Sequence, residues 1–201
     1  MIKKIIRGIP FLVTFLSMTA CQTLFSFSPD RAAIQEIILN SPSTMEVHRD
    51  TIRVLQMQEF EASMMVLATY LGTIEDGQMS ECLALFQTEK GVEGWNAYSH
   101  GSGCWPAGLV DEDPVQILYG QRSSDGQSTS DVSGLVYIPE ITSVEVTWGD
   151  GESQPLEVVK GSFLGLRTGS HDLKSITAFD EFATPVYSYE VPSPAPGKET
   201  P

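Results

Sequence analysis

Cysteine and histidine are scarce in this chain of 201 residues, with three of each, and bases are outnumbered, 12 lysines and arginines against 26 acids. The shortage of positive charge excludes a nucleic-acid binder, because phosphate recognition needs a basic footprint. Three cysteines cannot staple a small disulfide scaffold. The apolar run near the start is short of the roughly 20 residues a bilayer-spanning helix needs. At 41% apolar the chain is also neither disordered nor fibrous, which leaves a globular protein of one or two small domains.

The chain opens with Met1-Ile2-Lys3-Lys4-Ile5-Ile6-Arg7, three positive charges in seven residues, followed by mostly apolar or small residues from Gly8 to Ala20 and then Cys21. A basic end before a short apolar core is the pattern of a secretory signal peptide over residues 1–20, with the charges held on the cytoplasmic side. As a buried helix the segment would have Pro10 interrupting it and its cations solvated alongside.

Met18-Thr19-Ala20-Cys21 resembles the lipobox of bacterial lipoproteins, with Met18 standing where leucine is usual. The resemblance implies cleavage before Cys21 and acylation of that cysteine, by palmitate or similar chains. Two or three acyl chains hold stably where one is marginal. The mature chain would carry nine bases against 26 acids, so anionic headgroups repel it and lipid must anchor it. Residues 21–28 then form a short tether. The expected location is extracytoplasmic, on a bacterial cell membrane, inner or outer.

With Cys21 assigned to lipid, Cys82 and Cys104 remain, and outside the cytoplasm such a pair commonly forms a disulfide. It would close a loop of just over twenty residues, worth roughly 3 kcal/mol by chain entropy. Ser80 to Gln87 reads as a strand, Glu89-Lys90-Gly91 as a turn, and Val92 to Ser99 as the returning strand. Gly101-Ser102-Gly103 lets Cys104 approach Cys82.

The expected fold class is α+β and mainly β: an N-terminal helix packed on an antiparallel sheet, then a small immunoglobulin-like β-sandwich. Ser28-Pro29-Asp30 is a helix start, with a capping hydroxyl and proline in the first turn. Ala33, Ile34, Ile37 and Ile38 recur at helical spacing before Asn40 to Ser43 ends the helix. Thr51 to Phe60 and Ala62 to Leu71 read as strands, the second apolar on both faces. Val115 to Tyr119 completes the sheet of an α+β domain over residues 29–120. Gln121 to Ser133, polar and rich in Ser, Asp and Gly, reads as a linker.

Residues 134–191 show six short strands: Leu135 to Ile138, Ser143 to Trp148, Leu156 to Val159, Ser162 to Leu166, Leu173 to Phe179 and Val186 to Val191. Val144, Val146 and Trp148 alternate with polar residues, the mark of a half-buried strand. Four of the twelve prolines fall in the last ten residues, so 192–201 reads as a loose tail. Trp148-Gly149-Asp150-Gly151 and Ile176-Thr177-Ala178-Phe179-Asp180 are similar to C-terminal β domains of uncharacterised secreted bacterial proteins. The first stretch also resembles the hairpin of polycystic-kidney-disease-type immunoglobulin-like domains. Neither resemblance carries an activity.

Ser99-His100-Gly101-Ser102-Gly103-Cys104 resembles the Ser-His-Gly-Cys signature of L,D-transpeptidases, with Ser102-Gly103 inserted and no arginine after Cys104. The resemblance implies a cysteine-dependent cell-wall enzyme in which His100 holds Cys104 as thiolate. A disulfide to Cys82 would consume that nucleophile. His171-Asp172 lacks a Gly-x-Ser-x-Gly elbow and reads as a solvated loop. His48, His100 and His171 lack metal-ligand spacing, and Asp111-Glu112-Asp113 lacks the calcium-loop pattern and reads as a turn before Pro114. Trp95, Tyr98 and Trp105 read as cross-strand or core aromatics, or as a ligand-stacking patch. The expected function is a non-enzymatic binding or interaction module without cofactor or metal, meeting an envelope protein or a cell-wall ligand. The cysteine enzyme using Cys104 and His100 is the alternative.

Overall fold

The computed structural model describes residues 29, 31–40, 45–61, 63–74, 76–91, 94–108, 114–124 and 126–192. The expected signal peptide over residues 1–20, Cys21 and the expected tether, Asp111-Glu112-Asp113 and residues 193–201 lie outside them. Three antiparallel sheets stack as front, middle and rear layers, and one helix covers the outer face of the front layer.

The helix, α1 (Arg31–Asn40), forms where the isoleucine spacing predicts it, and buries Ile34 and Ile38. The front sheet comprises β1 (Glu46–Val47), β2 (Arg53–Phe60), β3 (Ser63–Thr73), β4 (Met79–Gly91) and β5 (Gly94–Pro106). Its order is β1-β3-β4-β5, with β2 also pairing on β3. Side chains alternate across β3 and β4 as the pleat requires. Val66, Ala68, Ala84 and Phe86 meet Ile34 and Ile38 of the helix, whereas Met65, Leu67, Leu83 and Leu85 face the middle sheet. The helix-on-sheet arrangement expected from the sequence is therefore present.

The middle sheet is β6 (Val115–Ser124), β7 (Gln127–Val136) and β10 (Ser162–Thr168), in the order β10-β7-β6. The rear sheet is β8 (Ser143–Trp148), β9 (Ser153–Glu157), β11 (Leu173–Phe179) and β12 (Pro185–Glu190), in the order β12-β11-β8-β9. Leu135, Leu164 and Leu166 pack forward against the front sheet. Val115, Val132 and Phe163 pack backward against Val144, Val146, Trp148 and Ile176. The layers form a sandwich-like stack.

Three expectations need correction. Gln121 to Ser133 is no linker: it is the end of β6 and most of β7, and β7 is the central strand of the middle sheet. Its Ser130, Asp131 and Ser133 are buried although polar, so composition misreads it. Glu89-Lys90-Gly91 is strand rather than turn, because β4 and β5 stay paired out to Gly91 and Gly94. Val115 to Tyr119 pairs with β7 and not with the front sheet.

Gly134 shows how closely the strands of the middle sheet pack against one another. A Cβ there would collide with the Phe163 ring and with the Gln116 carbonyl oxygen, so only glycine leaves the phenyl its place.

Candidate functional site

The site begins with a register fault. On β5, Gly101 pairs with Leu85 and Ser99 with Phe86, so His100 is the extra residue of a β-bulge. A bulge re-aims a side chain and breaks the strict alternation of faces. His100 is turned toward the middle sheet, where its Nδ1 lies 2.9 Å from Oδ1 of Asp131 on β7. Asp131 points forward because it shares a face of β7 with Leu135, two pairs of residues along.

The pair is nearly dry, with His100 at 7% and Asp131 at 2% exposure. The ring N–H is off the line of a hydrogen bond to the carboxylate, and neither atom forms another. Ser133 Oγ, on the same face of β7, is also buried without a hydrogen bond. Each such group costs about 1–3 kcal/mol of desolvation, so three together mark a place not optimised for stability alone.

His100 forms the floor of a cleft of about 960 Å³ between the front and middle sheets. Gln87, Glu89 and Tyr98 line it from the front sheet, and Arg122, Gln127 and Thr129 from the β6–β7 hairpin. Glu61, in the turn after β2, closes one side and accepts a hydrogen bond from Thr168 Oγ1 on β10 at 3.2 Å. Glu89 accepts one from the Gln87 amide at 3.3 Å. The polar residues that make 121–133 read as a linker are thus half of a polar cleft.

Cys82 and Cys104 stand directly opposite each other on β4 and β5 at disulfide distance, with Cα atoms 4.1 Å apart. Cys82 alternates with Leu83, so the pair lies on the helix-side face of the front sheet while His100 faces the middle sheet. Cys104 and His100 are therefore not brought together, and the Cys104 sulfur has Cys82 as its partner.

The three aromatic residues do not form one patch. Trp105 packs with the core between front and middle sheets. Tyr98 lines the cleft at 57% exposure. Trp95 lies beyond it beside Glu59 and Lys90, and also beside α1.

The other histidines are structural. His48 Nε2 is 2.8 Å from Thr73 Oγ1. His171 is no free loop residue: Nδ1 is 3.1 Å from Asp150 Oδ2, Nε2 is 3.1 Å from the Thr168 carbonyl, and the ring meets Trp148 edge-on. Asp150 also holds the Arg167 guanidinium at 2.9 and 3.1 Å, and these contacts keep its carboxyl below the ordinary 3.8. Arg167 reaches Glu152 as well. Elsewhere the Tyr137 hydroxyl donates to Glu81 at 2.9 Å, and burial followed by that carboxylate pushes its pKa well up.

Among the described residues no cluster of His, Cys, Asp and Glu suits a metal ion, and no helix is long and apolar enough to cross a membrane. No family model matches the chain, and neither a curated protein nor a solved structure resembles it significantly. Asp131 leaves no signal in the sequence, since its segment carries no apolar alternation, whereas His100 stands out there only through its place before Cys104.

Proposed function

We propose that the protein is an envelope-anchored lipoprotein, held to a bacterial membrane by lipid on Cys21, whose body is a non-enzymatic binding module. The observation that carries the binding role is the cleft, a concave space of about 960 Å³ with polar groups converging from two sheets over His100 and Asp131. The anchor rests on the basic start, the short apolar core and Met18-Thr19-Ala20-Cys21. A cell-wall polymer or an envelope protein within reach of the tether is the partner this placement favours. Cys104 faces Cys82 rather than His100, which favours binding over the cysteine enzyme.

Two measurements test the proposal on the full chain produced in bacteria. The intact mass of membrane-extracted protein is expected to show a chain starting at Cys21 with a lipid increment, and Cys21→Ser is expected to abolish it. The protein is expected to co-sediment with purified peptidoglycan sacculi. The double variant Tyr98→Ala/Arg122→Ala, changed on the cleft wall, is expected to stay in the supernatant. Co-sedimentation unaffected by both changes would move the binding surface away from the cleft.

A further inference from the structure

The cleft's chemistry narrows what it binds, an inference that rests on the binding role proposed above. We infer that the ligand is a neutral, hydroxyl-rich one, a glycan chain, with His100 as its buried anchor and Tyr98 as its stacking face.

Charge comes first. The cleft's walls carry one guanidinium, Arg122, and two carboxylates, Glu61 and Glu89. Each carboxylate accepts one hydrogen bond from a neutral donor, Glu61 from Thr168 and Glu89 from Gln87, and keeps its charge. An anionic ligand would meet two acids for one base, and a cationic one would meet Arg122. The walls oppose an anion, and a cation would have to sit beside Arg122, so a ligand without formal charge fits them and the tetralysine control below tests the cationic alternative.

Hydrogen bonding comes second. Gln87 and Gln127 present amides that both donate and accept, and Ser63, Ser123 and Thr129 present hydroxyls that do the same. An apolar ligand would strip water from all of them without return. A sugar hydroxyl also donates and accepts, so it can match every one of these groups.

His100 supplies the fixed point. Its Nδ1 faces Asp131 Oδ1 at 2.9 Å without a hydrogen bond, and the ring makes no hydrogen bond to another described residue. The ring lines the cleft, and a neutral imidazole there can donate to a ligand hydroxyl or accept from it. A glycan also needs an aromatic face for its C–H surface, and Tyr98 stands more than half exposed on the same wall.

The probe is tetra-N-acetylchitotetraose, titrated into isotope-labelled protein and followed by backbone amide NMR. The expected result is shifts confined to β5 near Tyr98 and His100 and to the β6–β7 hairpin. Tyr98→Ala, an exposed position where the fold should persist, is expected to weaken binding roughly tenfold. His100→Phe, if its thermal transition is retained, is expected to weaken it further, whereas His100→Gln retains part of the affinity. The sugar is also expected to compete the protein off sacculi. Absence of shifts at millimolar sugar overturns the glycan assignment, as do cleft shifts produced by tetralysine in its place. If sacculus binding still depends on Tyr98 and Arg122 while the sugar fails to compete, the cleft is the binding site but glycan is the wrong class. If sugar shifts fall on another face, both readings fail.

Discussion

His100 and Asp131 face each other across the space between two sheets, Nδ1 to Oδ1 at 2.9 Å, one on an edge strand of the front layer and the other on the central strand of the middle layer. Removing one member leaves the other buried without a counterpart. Asp131→Ala is expected to destabilise the protein by about 1–3 kcal/mol, because the buried His100 ring keeps its desolvation cost and loses the carboxylate 2.9 Å from it. The double variant His100→Leu/Asp131→Leu is expected to recover most of that loss. Urea unfolding of the single and double variants measures the coupling; additive losses would show that the two residues do not act as a pair.

Gly134→Ala drives a methyl group into the Phe163 ring and the Gln116 carbonyl. Overpacking of a filled core costs typically about 1–3 kcal/mol, and a collision that includes backbone belongs at the top of that range. Thermal unfolding reads the effect. Gly134→Ala combined with Phe163→Leu should be less destabilised than the sum of the two, since the smaller side chain makes room.

The Asp150 carboxylate gives the rear sheet an acid-sensitive tie. Its folded pKa lies below the ordinary 3.8, first through the Arg167 hydrogen bond. A depressed carboxylate stabilises the fold above its unfolded value and loses that contribution as pH falls through the folded value. Wild-type stability is therefore expected to drop below pH 3.8 more steeply than that of Asp150→Asn. Guanidinium chloride would screen the pair, so urea midpoints across that window are the measurement; parallel curves would contradict the assignment.

The Cys82–Cys104 pair closes a loop of sequence separation 22. Cys82→Ala/Cys104→Ala is expected to cost roughly 3 kcal/mol by loop entropy. Alkylation of the denatured protein should add no mass until a reductant is present. Immediate alkylation of Cys104 would show a free thiol and reopen the question of its chemistry.

How much of this was legible depended on whether a strand's buried face is made of apolar residues. Val144, Val146 and Trp148 alternate cleanly, and β8 falls on the expected residues Ser143 to Trp148. The isoleucines of α1 and the apolar run of β3 were equally plain, as was the Cys82–Cys104 pairing. β7 was not, because its buried positions include Ser130, Asp131, Ser133 and Gly134. Ser130 is satisfied by donating to the Gly169 carbonyl and accepting from the His171 N–H, neither of them near in sequence. The His100 bulge was hidden for a related reason: a one-residue slip between paired strands leaves no trace in periodicity. The candidate site therefore includes a local irregularity in β5 and a strand that composition disguises.

The position of β7 also bears on how the chain can be made. β7 lies between β6, which precedes it, and β10, which follows only after the β8–β9 hairpin has been synthesised. Leu164 and Leu166 complete the forward core, and Phe163 the backward one, from a single strand that arrives late. A nascent chain stopped before Ser162 would leave the edge of β7 without its β10 partner and both cores without the side chains that β10 brings. Neither core is complete until the tenth strand is in place.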